Sequence, residues 1–297
     1  MSAASASTAT TDGVTGMRGL VSVLFGVFLL AGAPHATAQQ AADVPFPAAL
    51  RGDAFRIESA TLGRGFDIYV RLPLDYDPEG PAYPVIYLLD GDSLFPILAA
   101  NHLFLTYEES LPEAVIVGIA YGGFDPSVNR RNIDFQSPDE GVPPEDAGAG
   151  RFHTFLTDEL IPVIEGRFRV DPDRRVLFGQ SRAGNLVLYS AVTHPDVFRG
   201  RIASNPSLTP GMGSILDGAA PARRDDLRVV ITSGERDRAD LPAEAALWVD
   251  TWSGRDARDR PWDIRLIRIP GGTHAANAPD AYRAGMLWLF DGNVPGD

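Results

Sequence analysis

The stretch "RRVLFGQSRAGNLVLYSAV", residues 174–192, decides the fold. It contains the apolar run Val176–Phe178, which is typical of a central strand that helices cover on both faces. It then passes through Gly179 and Ser181 into an apolar pattern typical of a helix. A strand followed closely by a helix is the building unit of a doubly wound α/β sheet. We therefore predict a sharp turn at Ser181, at the carboxyl edge of such a sheet.

This turn holds Ser181 in a Gly-x-Ser-x-small frame, with Ala183 where the usual motif has a second glycine. A nucleophile elbow needs small flanking residues, because its tight turn lifts the serine hydroxyl above the sheet edge. The helix N-terminus there favours developing negative charge. Ala183 adds one methyl group and Gly184 follows it, so Ser181 is a candidate nucleophile. The alternative is a serine that only happens to lie at a strand–helix junction.

The strands of the predicted sheet are eight short segments rich in apolar residues. They are Phe55–Leu62, Phe66–Leu72, Val85–Asp90, Ala114–Ala120, Arg175–Gly179, Arg201–Ser204, Leu227–Ser233 and Ile264–Ile269. The first two alternate in polarity and are joined by Gly63–Gly65, which predicts an antiparallel hairpin at the N-terminal edge. The later strands alternate with helical patterns. The sequence predicts a mostly parallel, doubly wound α/β sheet of about eight strands.

One domain over residues 51–293 is expected, because no linker or repeat divides the chain. A long segment at 121–150 is rich in Pro, Gly and acidic residues, which is typical of a functional or mobile loop. The amphipathic pattern that follows it, "AGRFHTFLTDELIPVIEGRF", predicts a helix that Pro162 bends.

Composition excludes several chemistries. The 297 residues include no cysteine and no lysine, which excludes thiolate metal sites, cysteine nucleophiles, lysine Schiff bases and P-loops. The net charge of −13 argues against nucleic acid as a partner. Without an H-E-x-x-H motif and with dispersed histidines, no metal or cofactor is expected.

The N-terminus has the pattern of an export signal. Arg18 precedes the apolar run Leu20–Gly32, and Ala36-Thr37-Ala38 is an A-x-A cleavage site. The run is shorter than the ~20 residues of a membrane span. We predict a signal peptide at 1–38, with Met17 as an alternative start, and a mature chain that begins near Gln39 with an extension at 39–50. The mature protein is then periplasmic or extracellular, without a stable membrane anchor.

A serine nucleophile needs a base, and the base needs an orienting acid. After the predicted signal the chain has four histidines: His102, His153, His194 and His274. His274 ends the "GGTH" loop after the last strand, where an imidazole can face the sheet edge. The acid is expected after the seventh strand, where Asp237 completes a G-x-x-D turn and Glu235 is the alternative. The order Ser181, Asp237, His274 is typical of α/β-hydrolases.

An oxyanion hole needs two backbone N–H groups aimed at one point. We expect one from Arg182, after the nucleophile, and one from Gly91 or Asp92, after the third strand. Phe95, Arg131 and Asn205 are the expected substrate contacts. The Arg182 side chain is interpreted either as the partner of a nearby acid or as the receiver of an anionic part of the substrate.

Several stretches together resemble a known family. They are "YPVIYLLDGDSLF", "AVIVGIAYGG", "RRNIDFQSP", "FLTDELIPVIEGRFRVDPDRRVLFGQSRAG", "PDVFRGRIASNPSL" and "GGTH". The chain resembles the putative esterase (esterase D-like) family of α/β-hydrolases, and most of all its exported siderophore-esterase-like members. The resemblance implies an α/β-hydrolase fold and serine-dependent hydrolysis of esters or thioesters, with Ser181 and His274 at the catalytic positions. The resemblance does not imply the same for the acid Asp237, because some siderophore esterases dispense with an acid.

Two further features bear on the substrate. Arg131 and Asp134 match an Arg-x-x-Asp near the family's substrate side, and an ion pair that pins the long loop is the alternative. The run Asn205–Thr209 departs from the family, which often has Ser-Pro-Ser followed by tryptophan.

The predicted function is that of an exported serine hydrolase acting on small carboxylic esters, siderophore-type lactones among them, through an acyl-enzyme on Ser181. An acyltransferase of the same fold is one alternative. A non-catalytic binding protein that retains the fold is the other.

Overall fold

A computed structural model describes residues 47–290 of the protein. The predicted signal peptide and the part of the extension up to residue 46 lie outside the described residues, as do residues 291–297. The described residues belong to one compact unit. None of the helices in this part of the chain is both long and apolar enough to cross a membrane.

The centre of the fold is an eight-stranded sheet in the order β1-β2-β4-β3-β5-β6-β7-β8. The strands are β1 Gly52–Ser59, β2 Arg64–Arg71, β3 Tyr83–Leu88, β4 Val115–Ala120, β5 Val170–Gln180, β6 Gly200–Ser204, β7 Arg228–Gly234 and β8 Asp263–Ile269. The β1–β2 hairpin is antiparallel and β2 pairs antiparallel with β4, whereas all other pairs are parallel. The predicted doubly wound sheet with an antiparallel edge hairpin is confirmed.

Helices cover both faces of this sheet. They are α1 Gly91–Glu108, α2 Arg131–Asp134, α3 Ala149–Thr154, α4 Ile161–Arg167, α5 Arg182–Thr193, α6 Asp240–Ser253 and α7 Ala278–Phe290. The core on one face includes residues of α1 and α7, and the core on the other includes residues of α3 to α6. Strand residues alternate between the two cores, as Val85 and Tyr87 against Ile86 and Leu88 do in β3.

Three local features differ from the sequence-based expectation. Strand β1 ends at Ser59, three residues before its expected end, so the hairpin turn lies between Ser59 and Arg64 and not at Gly63–Gly65. Strand β5 begins at Val170, five residues before the expected start, and its pairing with β3 is irregular between Tyr83 and Val85. Pro172 lies in that irregular part, where a missing N–H does no harm to the ladder. The expected bent helix is α3 and α4 joined by a π-helical turn, Phe155–Leu160, which directly precedes the residue pair Ile161-Pro162.

The chain reverses its winding direction between β3 and β5. From β3 it moves to β4 on one side, and it then returns to place β5 on the other side of β3. Ligands of open α/β sheets bind outside the carboxyl ends of the strands at such a switch point. Here β3 leads into Asp90 and α1, and β5 leads into Ser181 and α5.

Candidate active site

Ser181 occupies a strained backbone position between β5 and α5. Its φ is 58° and its ψ is −121°, a conformation that non-glycine residues adopt only when the surroundings impose it. The Ser181 N–H donates to the carbonyl of Ser204 at 2.9 Å. The Ser181 carbonyl accepts the N–H of Gly184 at 2.9 Å and that of Ser207 at 3.1 Å. These bonds tie the turn to the end of β6 and hold the serine at the sheet edge.

The neighbours of Ser181 explain why Ala183 is tolerated. Ala183 is fully buried within the core. A Cβ atom on Gly179 would lie 2.6 Å from the Ala183 carbonyl oxygen, and one on Gly184 would lie 2.9 Å from Cβ of Pro206. A side chain would therefore clash at Gly179 and at Gly184, whereas the fifth position of the motif accommodates the methyl group of Ala183.

The structure brings Ser181, His274 and Asp237 into one hydrogen-bonded row. Oγ of Ser181 lies 3.0 Å from Nε2 of His274. Nδ1 of His274 lies 2.9 Å from Oδ2 of Asp237. A carboxylate only accepts hydrogen bonds, so Nδ1–H of the neutral imidazole donates to Asp237. Nε2 then presents its lone pair to the Ser181 hydroxyl, which is the arrangement that general-base catalysis needs.

Of the two candidate acids, Asp237 is the one that contacts His274. Its side chain is 1% exposed, and its second oxygen accepts the N–H of Arg238. Glu235 is exposed at the surface, and its carboxylate accepts the N–H of Gly271. Glu235 therefore supports the loop that precedes His274.

The other three histidines lie away from Ser181. His102 is buried in α1, where its ring nitrogens lie 3.1 Å from the Pro112 carbonyl and 3.0 Å from the Tyr282 hydroxyl. Burial and the charge of Arg71 lower the pKa of His102 to about 4. His153 is buried, bonds Ser190 and stacks on His194 with ring centroids 4.2 Å apart. These contacts indicate packing roles.

Asn205, an expected substrate contact, is not among the residues that line the cavity beside Ser181. Its side chain is buried, and Nδ2 donates to the carbonyl of His274 at 2.8 Å and to Oδ1 of Asn277 at 2.6 Å. Its Oδ1 accepts the N–H of Gly234 at 2.7 Å. Gln180 also donates to the His274 carbonyl. This support of the His274 loop was not expected from the sequence, although one amide residue ends β5 and another directly follows β6.

The expected oxyanion donors lie in the first turns of two helices. Gly91 and Asp92 open α1 after β3, and Arg182 opens α5 after β5. β3 and β5 are adjacent, so both helix N-termini face the same edge of the sheet. The first N–H groups of a helix have no intrahelical acceptor and carry partial positive charge. Gly91 is needed for packing, since a Cβ there would lie 2.7 Å from the Ile119 nitrogen.

A cavity of about 420 Å³ opens beside the nucleophile. Its lining residues are Asp90, Asp92, Ser93, Leu94, Ile97, Phe124, Asn129, Arg131, Gln180, Ser181, His274 and Ala275. A larger cavity of about 960 Å³ lies between the segments before β7 and β8, at the opposite ends of the strands, and holds none of Ser181, His274 and Asp237. Within residues 47–290, no cluster of three His, Asp or Glu side chains is placed to hold a metal ion.

Arg131 lines this cavity and forms a two-pronged ion pair with Asp90. Its Nε lies 2.8 Å from Oδ1 of Asp90, and its Nη2 lies 2.9 Å from Oδ2. Asp134, its partner in the Arg-x-x-Asp pattern, is buried and bonds Arg64 and the Tyr121 hydroxyl. Both residues therefore pin the segment 121–150, the alternative interpretation of the pattern.

Phe95, an expected substrate contact, lies outside the cavity beside Ser181. Its side chain is 6% exposed, packs on Tyr69 with ring centroids 5.6 Å apart, and lines a separate cavity of about 570 Å³ together with Gly91 and Asp92. Leu94 and Ile97 on neighbouring faces of α1 line the cavity beside Ser181 instead. Phe95 is turned away because successive helix residues point about 100° apart, at 3.6 residues per turn.

The side chain of Arg182 points along the backbone that follows β6. Its guanidinium donates to the carbonyls of Ser207, Thr209 and Pro210 at 3.3–3.4 Å. Burial and the nearby charge of Arg131 lower its pKa. Arg182 is absent from the cavity lining, and its guanidinium ties the start of α5 to the segment after β6.

Curated proteins of known activity share this sequence in part. The ferri-bacillibactin esterase BesA of Bacillus subtilis is 33% identical over 168 residues, 51% of this chain and 57% of that protein. The siderophore triacetylfusarinine C esterase of Aspergillus fumigatus is 31% identical over 180 residues, 56% of this chain and 58% of that protein. The chain therefore matches less than two thirds of the length of either relative.

Solved structures share the fold over more of the chain. The siderophore hydrolase EstB of Aspergillus nidulans superposes with a TM-score of 0.71 at 19% identity, covering 88% of this chain and 100% of EstB. The BES protein of Bacillus cereus gives a TM-score of 0.69 at 23% identity, covering 85% of this chain and 98% of that protein. At these identities the likeness establishes the α/β-hydrolase fold.

A family model extends over the region that carries the elbow and most of the sheet. The match runs from residue 59 to residue 268, more than half of the 297 residues. It includes Ser181 and Asp237 and ends six residues before His274. The chain belongs to the esterase family described as "Putative esterase".

Proposed function

We propose that this protein is a serine hydrolase that cleaves carboxylic esters through an acyl-enzyme on Ser181. The observation that carries the proposal is the hydrogen-bonded row at the sheet edge, with 3.0 Å from Ser181 Oγ to His274 Nε2 and 2.9 Å from His274 Nδ1 to Asp237 Oδ2. A binding protein that only retained the fold would have no need for all three groups within hydrogen-bond reach. Membership of the esterase family supports the same chemistry.

The reaction proceeds in two halves. Oγ of Ser181 attacks the ester carbonyl carbon while Nε2 of His274 takes the hydroxyl proton, which gives a tetrahedral intermediate. The intermediate collapses, and the bond between the former carbonyl carbon and the alcohol oxygen breaks. The leaving alkoxide takes the proton from His274. Water then attacks the acyl-enzyme with His274 again as the base, which releases the carboxylic acid and restores Ser181. Buried Asp237 stabilises the imidazolium in both halves.

The negative charge of the tetrahedral intermediate needs two donors. The N–H of Arg182 is one, and the N–H of Gly91 or Asp92 is the other. The positions of these groups in the first turns of α5 and α1 support this assignment, because the two helix N-termini face one sheet edge. Asp92 is the stronger candidate of the pair, since it lines the cavity with Ser181.

The substrate proposed is a small-molecule ester, and siderophore-type lactones are within this class. Two curated relatives that cleave siderophore esters support that choice. We also propose that the chain is exported, on the strength of the apolar run Leu20–Gly32 and the cleavage pattern Ala36–Ala38.

The proposal is tested by covalent labelling together with turnover. A fluorophosphonate probe is expected to add one group to the wild-type protein, and p-nitrophenyl acetate is expected to be hydrolysed. The Ser181→Ala variant should lose both signals while its thermal unfolding stays that of the wild type. Labelling of the alanine variant would assign the nucleophile elsewhere, and wild-type turnover equal to that of Ser181→Ala would refute the proposed function.

A further inference from the structure

We propose that the cavity beside Ser181 accepts an uncharged, apolar arm of the ester, and that Ile97 and Phe124 determine this specificity. The inference rests on the proposed function and narrows its substrate class.

Two large hydrophobic side chains of the cavity are left open to solvent. Phe124 is 73% exposed and Ile97 is 51% exposed, and both line the cavity that contains Ser181. Leu94 and Ala275 add apolar surface to the same lining. Exposed apolar surface of this kind gains free energy when it is covered, and a concave site is where a ligand covers it.

Hydrogen bonds fix the backbone of the three residues that precede Phe124. The carboxylate of Asp92 accepts the N–H groups of Tyr121 and Gly122 at 2.7 and 3.0 Å. Nδ2 of Asn129 donates to the carbonyl of Gly123 at 3.1 Å. The exposed ring thus belongs to a segment fixed next to the nucleophile.

The charges of the cavity argue against an anionic arm. Two carboxylates, Asp90 and Asp92, line it against one guanidinium, Arg131. That guanidinium is already paired with both oxygens of Asp90. The Asp92 carboxylate accepts the backbone N–H groups of Tyr121 and Gly122, which are not cations. An incoming carboxylate would therefore meet net negative charge without a free cationic partner, which costs affinity.

The guanidinium of Arg182 does not change this balance. Although Arg182 follows the nucleophile in sequence, its side chain bonds three backbone carbonyls and is absent from the cavity lining. The exposed apolar side chains Phe124 and Ile97 are therefore the groups of the cavity lining that a substrate arm can cover.

The test compares esters that differ in one arm. p-Nitrophenyl acetate, hexanoate, the adipate monoester and 6-aminohexanoate vary the acyl arm in length and charge, and ethyl and hexyl acetate vary the alcohol arm. In the wild type, kcat/KM should rise from two to six carbons in at least one of the two series. The anionic adipate and the cationic aminohexanoate should both be poorer substrates than the hexanoate, because a charged end loses hydration against Phe124 and Ile97. The net negative charge of the lining should make the adipate the poorer of the two.

Variants then assign the preference to the cavity. Phe124→Ser and Ile97→Ser should each lower kcat/KM for the six-carbon ester by about tenfold more than for acetate, the range of a lost contact in an apolar pocket. Phe124→Leu should restore part of the preference. Phe104→Ser is the matched control, because Phe104 is 61% exposed on the same helix as Ile97 but lies outside the cavity.

Different failures have different signatures. Ser181-dependent hydrolysis of acetate without any gain for six carbons, or equal effects of Phe104→Ser and Phe124→Ser, would overturn the inference and leave the proposed function standing. Preference for the charged esters over the hexanoate would do the same. Absence of Ser181-dependent turnover for every ester would overturn both.

Discussion

The side-chain amide of Asn205 donates to the backbone carbonyl of His274 at 2.8 Å, so the residue after β6 fixes the loop that carries the proposed base. The same side chain accepts the N–H of Gly234, the last residue of β7. One buried amide thus joins the ends of two strands to the loop after a third. Asn205 can adopt its φ of 40° because asparagine tolerates the left-handed region better than most residues.

Asn205→Ala is expected to lower kcat by about 10- to 100-fold with little change in KM, because a base displaced by a fraction of an ångström reacts poorly. The buried N–H of Gly234 would also lose its acceptor, at about 1–3 kcal/mol of stability. Ser204→Ala is the control, since the Ser204 hydroxyl is buried without a partner among the described residues. Steady-state kinetics and chemical denaturation of both variants check this. An Asn205→Ala enzyme with unchanged kcat would remove the positioning role.

The contact between His274 and Asp237 predicts the order in which acidic substitutions matter. Asp237→Asn should lower kcat by about 10⁴-fold, because an amide cannot hold the imidazole in the required tautomer. Glu235→Gln should cost far less, since the exposed Glu235 carboxylate accepts the Gly271 N–H and His274 pairs with Asp237 instead. His274→Ala should lose at least about 10³-fold in kcat. Rates of ester hydrolysis at neutral pH measure all three effects. A larger loss for Glu235→Gln than for Asp237→Asn would transfer the role of the acid to Glu235.

Export is checked on protein recovered from the periplasm or the medium. N-terminal sequencing should begin at or near Gln39, because a peptidase that reads small residues cleaves after the Ala36–Ala38 pattern. Ala38→Leu should leave the precursor uncleaved. A chain found intact in the cytoplasm would contradict the predicted signal.

Much of the fold was predictable because the hydrophobic period of a strand or a helix is visible within a short segment of sequence. All eight predicted strands overlap strands of the structure, although β1 lies three residues earlier than predicted and the hairpin turn falls between Ser59 and Arg64 rather than at Gly63–Gly65. β5 was predicted too short, since Pro172 hides the start of a strand whose first part pairs irregularly. The first part of β5 is visible only in the structure, where Val170 pairs with Tyr83 of β3.

The site was predictable only in part, because a sequence pattern does not state which way a side chain points. Ser181, Asp237 and His274 each follow a strand, and this placement predicted that they meet at one edge of the sheet, as they do in the structure. The placement of Phe95 was not predictable, because α1 is apolar on most sides and its sequence does not reveal that Leu94 and Ile97 face the cavity beside Ser181. The placement of Asn205 was not predictable either, because a polar residue at a strand end can face a substrate or a neighbouring loop.

The elbow offers a direct test of where small residues are needed. Gly184→Ala should destabilise the protein by about 1–3 kcal/mol, because the new Cβ would lie 2.9 Å from the rigid ring of Pro206. Gly166→Ala, in α4, is the matched control, since a Cβ there meets nothing within 4 Å and should stabilise the helix by up to about 1 kcal/mol. Thermal unfolding of the two variants decides the point, and equal shifts would show that the elbow is not sterically tight.

Finally, the buried His102 predicts how stability depends on pH. Burial and the charge of Arg71 lower its pKa from 6.5 to about 4, and it faces the Tyr282 hydroxyl and the Pro112 carbonyl. Below pH 6.5 the unfolded chain therefore takes up a proton that the folded chain resists until about pH 4. The free energy of unfolding must fall as the pH falls through this window, and the full contribution is present only above pH 6.5.

The shift corresponds to roughly 3 kcal/mol from this one group, at about 1.4 kcal/mol for each pH unit. His153, whose pKa burial and the charges of His194 and Arg201 lower to about 3, should add a slope of the same sign. Chemical denaturation at pH 7 and pH 4.5 should therefore show a steep loss in the wild type. His102→Gln, which cannot titrate, should lose distinctly less over the same interval even if it is less stable at pH 7. Identical losses in the two proteins would mean that His102 is protonated at similar pH in the folded and unfolded chains, against the burial that the structure gives it.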